Sequence, residues 1–298
     1  MDERSWDAAV RDAVHVPPGA LPAVARALAG SRPRAEAGAV LVEGQGGAVV
    51  LPHVRVEGRL GWGCEAMPHG IPCGPITVEG DPGPLDGDDL RRTLGAQQLR
   101  VYVHHSLADA YEDRPHETHV VDLSGDAPVS DGYRQRARRK LRAAANAGVE
   151  TQVCGADDST RVFEVLASAA ETEERPSHPA PVIDAVLASG CAFGVLATHE
   201  GRDISAALFL VSSLEALYWL GGTLPDAKEL SPGYATIDAA IHHARENACL
   251  AVNLGASYGL PGVAHFKEGF GARPVTYPSL SSRSARSRVA GAADALKS

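Results

Sequence analysis

The stretch Val252–Gly271, V-N-L-G-A-S-Y-G-L-P-G-V-A-H-F-K-E-G-F-G, constrains the fold more tightly than any other part of the chain. It opens inside a short apolar run, Cys249–Leu254, which stops abruptly at Gly255. An apolar run of that length bounded by glycine reads as a buried strand. A glycine-rich bend follows, then a compact block holding Phe266 and Lys267 just before Gly269-Phe270-Gly271. That order sets a cation and a ring at the carboxyl end of a sheet strand. Ligands of open α/β sheets bind at such an edge. The remainder of the chain is therefore read as what builds a cleft above this floor.

Taken in order, Trp6–Val14 and Leu21–Leu28 read as helices split by Pro17-Pro18-Gly19. Ala39–Glu43 and Ala48–Val54 are apolar runs joined by Gly44-Gln45-Gly46-Gly47, a hairpin signal. Gly58–Gly74 is rich in Gly and Pro and is expected to loop over the sheet. Ile76–Val78 is a short strand. Asp86–Gln98 is a helix with aspartates at its start, the end that favours negative charge. Leu99–His104 and His119–Leu123 are strands. Gly132–Asn146, introduced by Ser130 and followed by Gly148, has the strongest helical pattern in the chain.

Beyond it come a strand, Val149–Val153, and two helices, Asp158–Ala170 and Pro181–Leu187. Ala192–Thr198, Ile204–Val211 and Ala216–Leu220 form an antiparallel meander. Tyr234–Asn247 is an amphipathic helix with Ile237, Ile241 and Ala244 on one face. The strand Leu250–Leu254, a short helix over Val263–Glu268 and a last strand near Pro274–Tyr277 complete the pattern. Ser281–Ser298 is rich in Ser, Arg and Ala and is expected to fray.

Two halves line up by element order, without obvious sequence identity. From residue 149 the order is β, α, α, three antiparallel strands, α, β, α, β. From residue 6 it is α, α, a hairpin, a third strand, α, β, β. The expected organisation is an N-terminal domain over 1–128, a C-terminal domain over 129–280 opening with a basic helix, and a flexible tail over 281–298. The fold class is α/β in the broad sense (α+β), with tandem domains of mixed central sheets flanked by helices.

Composition narrows the function classes. At 298 residues, 44% hydrophobic and 22% charged, the chain is globular. Its net charge of −9 argues against a protein that coats nucleic acid, while allowing a local basic patch that holds one RNA end. The five cysteines are scattered and show no C-x-x-C pair, which fits a reduced cytoplasmic setting better than a disulfide framework. Met1–Asp12 is charged throughout, unlike a secretory signal. No apolar run approaches the roughly 20 residues of a membrane span. His104-His105, His242-His243 and His116-Glu117-Thr118-His119 lack H-E-x-x-H spacing, so no metal is expected.

The element order of the second half resembles the GNAT acyltransferase fold, and more specific motifs resemble the Fem-type aminoacyltransferases. Arg136–Val153 is similar to the basic helix and strand that join their two GNAT-like halves. Glu171-Thr172-Glu173-Glu174-Arg175 resembles their E-T-x-x-R stretch, and Tyr218-Trp219-Leu220-Gly221-Gly222-Thr223 their aromatic–Gly–Gly strand end. Phe266-Lys267-Glu268-Gly269-Phe270-Gly271 is similar to the F-K-x-x-F-G signature, and Gly74-Pro75 to the Gly-Pro after the first-half loop. The element order covers nearly the whole chain; the motifs concentrate after residue 130. No long heptad segment corresponds to the coiled-coil arm of some members, and no counterpart of the residues that grip a UDP-sugar diphosphate is found.

The resemblance implies that an amine attacks an activated ester or thioester. The donor would be the 3′ end of an aminoacyl-tRNA, and the acceptor an amine-bearing peptide, nucleoside-peptide or cell-wall precursor. No cofactor is implied beyond the donor. Lys267 is the candidate catalytic cation for the oxyanion. Phe266 would pack the terminal adenosine or the acyl group, Arg175 would bind phosphate or carboxylate, and Tyr218 would hydrogen-bond the acceptor.

Arg134, Arg136, Arg138, Arg139, Lys140 and Arg142 put six cations on about two and a half helical turns. Of these, Arg134, Arg138, Arg139, Lys140 and Arg142 are the candidate tRNA or phosphate contacts. The commoner readings stand beside these: a core phenylalanine, a surface lysine, an arginine paired with a nearby glutamate, and a solvated charge run.

Acyl-CoA is the alternative donor. Enzymes that use it carry a Q/R-x-x-G-x-G/A loop before the main helix, whose N–H groups take the pyrophosphate. Here that position holds Glu229-Leu230-Ser231-Pro232-Gly233-Tyr234, with one glycine and a proline that removes a donor. A non-catalytic module of GNAT fold is the third reading. Gly255-Ala256-Ser257-Tyr258-Gly259 matches a G-x-S-x-G elbow, but Pro261-Gly262 interrupt the helix such an elbow needs. No general base stands out. His104, His105 and Asp109 follow a strand end in the first half.

Overall fold

The computed structural model describes residues 3–13, 15–44, 46–58, 61–66, 74–175 and 177–287. The elements run α1 (Glu3–Asp12), α2 (Pro22–Gly30), β1 (Ala35–Glu43), β2 (Gly46–Gly58), β3 (Gly61–Ala66), β4 (Ile76–Asp81), α3 (Gly87–Thr93), β5 (Gln98–Tyr102) and β6 (His116–Asp122). They continue with α4 (Gln135–Asn146), β7 (Glu150–Cys154), α5 (Ser159–Thr172), α6 (Ala180–Ala188), β8 (Ala192–His199), β9 (Arg202–Val211) and β10 (Glu215–Thr223). Last come α7 (Pro232–Glu246), β11 (Ala251–Ala256), α8 (Pro261–Glu268), β12 (Arg273–Tyr277) and β13 (Ser279–Arg283). No helix among the described residues is long and apolar enough to cross a membrane.

The strands form two mixed sheets flanked by helices. Contacts divide the chain into one unit of residues 1–116 with 276–298, and another of 117–275. The first unit holds the sheet β1-β2-β3-β5-β13, with β4 on β2. Its hairpin β1–β2 pairs from Ala35↔Val56 to Glu43↔Ala48, as the two apolar runs predict. The Asp86 side chain accepts the Asp89 N–H at 2.8 Å and caps α3. That helix is shorter than expected because the chain turns at Gly95, where φ is +60°. The stretch expected to loop over the sheet contains β3; residues 67–73 lie outside the described part.

The division falls earlier than the 128/129 boundary expected from sequence, because β6 pairs with β11 and carries its segment into the second sheet. Within the stretch expected to fray, Ser281–Arg283 complete β13, which lies antiparallel on β5. Residues 288–298 lie outside the described part.

The second sheet has the order β12-β6-β11-β10-β9-β8-β7. Helix α7 buries Ile237, Ala240, Ile241 and Ala244 against Phe193, Phe209, Val252 and Leu254 on one face. Alternate residues of these strands face the opposite way, where α5 approaches closely: a Cβ on Gly194 would stand 3.1 Å from Val162, and one on Gly222 only 2.5 Å from Ala169. Helix α4 begins three residues later than its pattern suggests, since Val129–Gly132 forms a 3-10 turn. Its start is tied down by Arg134 N–H, which donates to Gly269 O at 2.9 Å, and by Tyr133, packed edge-on against Phe270.

Candidate active site

The site begins where two parallel strands part. β10 and β11 are paired only over Glu215–Leu217 and Ala251–Asn253. Beyond that point each is deflected. β10 shifts register against β9 at Trp219, and β11 shifts register against β6 between Asn253 and Ala256. Gly255 takes φ +75° in this shift, a conformation that glycine adopts without strain. A cleft of about 420 Å³ opens along the freed end of β10, a volume in the range of small-molecule sites. Tyr218 and Gly221–Thr223 form one wall, the first turn of α7 another, and Phe266 of α8 closes the floor.

The start of α7 turns its positive end toward this space, but offers few donors. Ser231, at φ +60°, gives its N–H to Lys228 O, Pro232 has none, and the Tyr234 N–H returns to Ser231 O. The Gly233 N–H makes no backbone hydrogen bond outside the helix among the described residues. Positive charge comes instead from side chains: Arg136 and Lys140, one turn apart on α4, and Lys228 in the 3-10 turn before α7.

Of the residues singled out in the sequence, Tyr218, Phe266 and Lys140 line the cleft. The Tyr218 hydroxyl lies over Gly221, where an added Cβ would stand only 1.8 Å from it. Burial pushes the phenol up to about 12, Glu173 adding to the rise and Arg175 opposing it. Phe266 packs edge-on against Tyr234 and Phe270.

Arg175 donates from Nε to Glu173 Oε2 at 2.7 Å and from Nη2 to Gly221 O at 3.4 Å, the local ion pair that was the plainer reading of its sequence. It lines a smaller cavity on the α5 side with Ser177 and His178. The remaining cations of α4 stand outside the cleft lining. Arg134 pairs with Glu268 at 2.7 Å, Arg138 donates to Asp131 O at 2.9 Å, and Arg139 and Arg142 are exposed.

Lys267 is only 4% exposed. Its Nζ donates to Gly255 O at 2.9 Å and Ala256 O at 2.7 Å, so it ties α8 to the deflected end of β11. Burial lowers its pKa to about 8, leaving it mainly charged at neutral pH. Beside it lies a buried polar cluster that the sequence reading missed. Thr118 Oγ1 donates to Asn253 Oδ1 at 2.5 Å, and Gly255 N–H donates to the same oxygen at 2.9 Å.

Ser257 Oγ lies 3.2 Å from His119 Nδ1, and His119 Nε2 lies 3.8 Å from Glu117. Burial, then the Lys267 charge, keep His119 below its ordinary pKa and so neutral. This is the order of a serine relay, yet the outer distance exceeds a hydrogen bond and α8 starts only at Pro261. The cluster frames the end of β11.

Arg136, Lys228, Glu173 and the turn Ser231–Tyr234 were not among the candidates. The signal for the last was present, in a helix opening on Ser-Pro-Gly.

Residues 132–268 match the family model described as Acetyltransferase (GNAT) domain. This segment is a GNAT domain. The fold extends the likeness to nearly the whole chain. FemX superposes with a TM-score of 0.66 at 12% identity, over 94% of this chain and 96% of that one. The C-terminal domain of a putative lysylphosphatidylglycerol synthetase from Agrobacterium fabrum gives 0.61 at 15%, over 97% and 93%. L-PGS from Bacillus licheniformis gives 0.59 at 12%, over 97% and 94%. At these identities the likeness is one of fold. No curated protein matches the chain in sequence. In this domain the cleft lies along the end of β10 that has parted from β11, and the chain shares the fold of FemX.

Proposed function

We propose that the chain transfers an aminoacyl group from the 3′ end of an aminoacyl-tRNA to an amine, forming an amide. The observation that carries this reading is how the cleft presents positive charge. A CoA pyrophosphate is held by a row of first-turn N–H groups, and α7 keeps one such donor. The cations of Arg136, Lys140 and Lys228 suit a phosphodiester strand that enters along α4. The motifs shared with Fem-type enzymes support the same reading, as does a fold shared with an enzyme named for a lysyl-bearing lipid.

In the reaction, a neutral amine adds to the ester carbonyl, the C–N bond forms, and the carbonyl pair moves onto oxygen. Collapse breaks the C–O bond to ribose, whose oxygen takes up the proton that the amine gives off. An amine with a pKa near 8 has a useful neutral fraction without strong assistance. Phe266 packs the terminal base or the acyl group, and the Tyr218 hydroxyl faces the reacting end. Lys267 stands behind the residues that line the cleft, with two of its three N–H donors on backbone carbonyls; this reading requires its third N–H to reach the oxyanion from the β11 side. The acceptor class is an amine-bearing peptide or nucleoside-peptide, from a natural-product or cell-wall route in the cytoplasm.

Incubation with mixed charged tRNA and candidate amines tests this reading, with RNase-sensitive product as the expected result. Product that survives RNase rules against tRNA as donor. An acyl-CoA donor is the second reading, favoured by the Gly233 N–H at the positive end of α7. CoA binding in a calorimeter, with thioester-dependent product, would establish it.

A further inference from the structure

Among the residues lining the cleft, three cations face one carboxylate. The carboxylate is Glu173, in the turn after α5. Its Oε2 accepts from Arg175 Nε at 2.7 Å, whereas Lys228 Nζ lies 3.4 Å from Oε1. One oxygen is therefore firmly held and the other loosely. A carboxylate accepts at about four lone-pair positions, so Oε1 has capacity to spare. The Lys228 side chain is 55% exposed and can turn into water at little cost. Arg175, which holds Glu173, also donates to Gly221 O at 3.4 Å, so the carboxylate sits at the Tyr218–Gly221 end of the cleft.

A carboxylate here repels the phosphates that the three cations attract. Its place in the cleft fits a ligand with a positive group of its own. An aminoacyl ester has one, the α-ammonium next to the reacting carbonyl; a simple acyl thioester has none. We infer that Glu173 is the subsite for the α-ammonium of the donor's aminoacyl group, with Arg175 as its positioning residue. The inference rests on the aminoacyl-transfer reading and narrows it: the donor carries an unblocked α-amine. The bond from Arg175 fixes the carboxylate plane, and the incoming ammonium replaces Lys228 at Oε1. Lys228, released, is free to meet phosphate.

The test uses stable amide analogues of a charged 3′ end, built on 3′-amino-3′-deoxyadenosine. One carries alanyl, one propionyl (the same skeleton without the amine), and one N-acetylalanyl. Binding to the full chain is measured by calorimetry. The alanyl analogue is expected to bind about tenfold tighter than the other two, the equivalent of one charge-assisted contact at a partly exposed site. Glu173→Gln should lose the preference for alanyl over propionyl, whatever its own affinity for the propionyl analogue.

Equal binding of all three by the unaltered protein overturns the inference and leaves aminoacyl transfer standing. So does a preference that survives in Glu173→Gln. If none of the three binds, the aminoacyl reading falls and takes the subsite with it. The N-acetylalanyl comparison needs no variant, so the inference stays open to refutation even if Glu173→Gln folds poorly.

Discussion

Lys267 shows at the scale of one residue how burial sets what a side chain can do. Its ammonium is held by two carbonyls in a dry place, and its pKa falls to about 8. For a lysine lowered by folding, the unfolded chain keeps its proton up to the ordinary lysine range, while the folded chain gives it up near 8. Stability therefore rises with pH between those two values. Denaturant unfolding at pH 7 and pH 9 should show that rise, and Lys267→Met should flatten it. In transfer assays, Lys267→Ala should lower the rate about 10²- to 10³-fold, the scale of one lost oxyanion donor. The unaltered protein should also lose rate as pH climbs past about 8, and this alkaline limb should be absent from the variant's pH–rate profile. A variant with full activity sinks the assignment.

Two neighbouring glycines separate site from scaffold. Gly221→Ala would set a methyl 1.8 Å from the Tyr218 hydroxyl, so the phenol must leave its place. Donor-analogue affinity should drop with little change in melting temperature. Gly222→Ala would instead meet Ala169 at 2.5 Å and push α5 off the sheet, costing about 1–3 kcal/mol of stability. Thermal melts and calorimetry on both variants decide the matter. Sequence alone marked the Gly-Gly pair and named Tyr218, Phe266 and Lys267, because motifs carry residue identity. It did not reveal that Lys267 and Phe266, adjacent on α8, point to different places, nor that Glu173 and Lys228 meet across 55 residues.

At the scale of elements, α4 shows what a charge run becomes once it is folded. Ala137 and Ala144 are buried, with Leu141 partly so, and Arg136 and Lys140 flank them on the cleft side. Arg134 is paired with Glu268. Arg136→Ala and Lys140→Ala should each weaken tRNA binding and lower the slope of log affinity against log salt by about one. Arg134→Ala should leave that slope nearly unchanged, because its charge is already matched. Fluorescence anisotropy over a salt series measures all three.

Most elements were legible because periods of 3.6 and 2 survive in the apolar pattern. The exceptions have causes. Gly61–Ala66 is a strand whose glycines read as loop, and Ser279–Arg283 is a strand with one apolar residue, Leu280. Both owe their form to a partner strand, which no local pattern displays.

At the scale of the whole molecule, the chain does not keep its two sheets in separate halves. It leaves the first sheet for β6 and returns after β12 to lay β13 on β5, in the register Ser279↔Tyr102 to Arg283↔Gln98. The returning strand covers the edge of β5, and Ser282 Oγ bonds to Asp88 and accepts from Arg91 Nε at 2.9 Å. An uncovered edge leaves unpaired N–H and C=O groups that invite association. A chain ending at Pro278 should therefore lose protection in β5 and α3, unfold at lower temperature and tend to aggregate, whereas one ending at Ser287 keeps β13 and should behave as the full chain does. Hydrogen exchange followed by mass spectrometry separates the outcomes. Faster exchange should appear in β5 and α3 of the shorter chain, with β8 and β9 of the GNAT domain still protected. Equal protection of β5 in both truncations would mean that β13 is an ornament to the first sheet and not part of its stability.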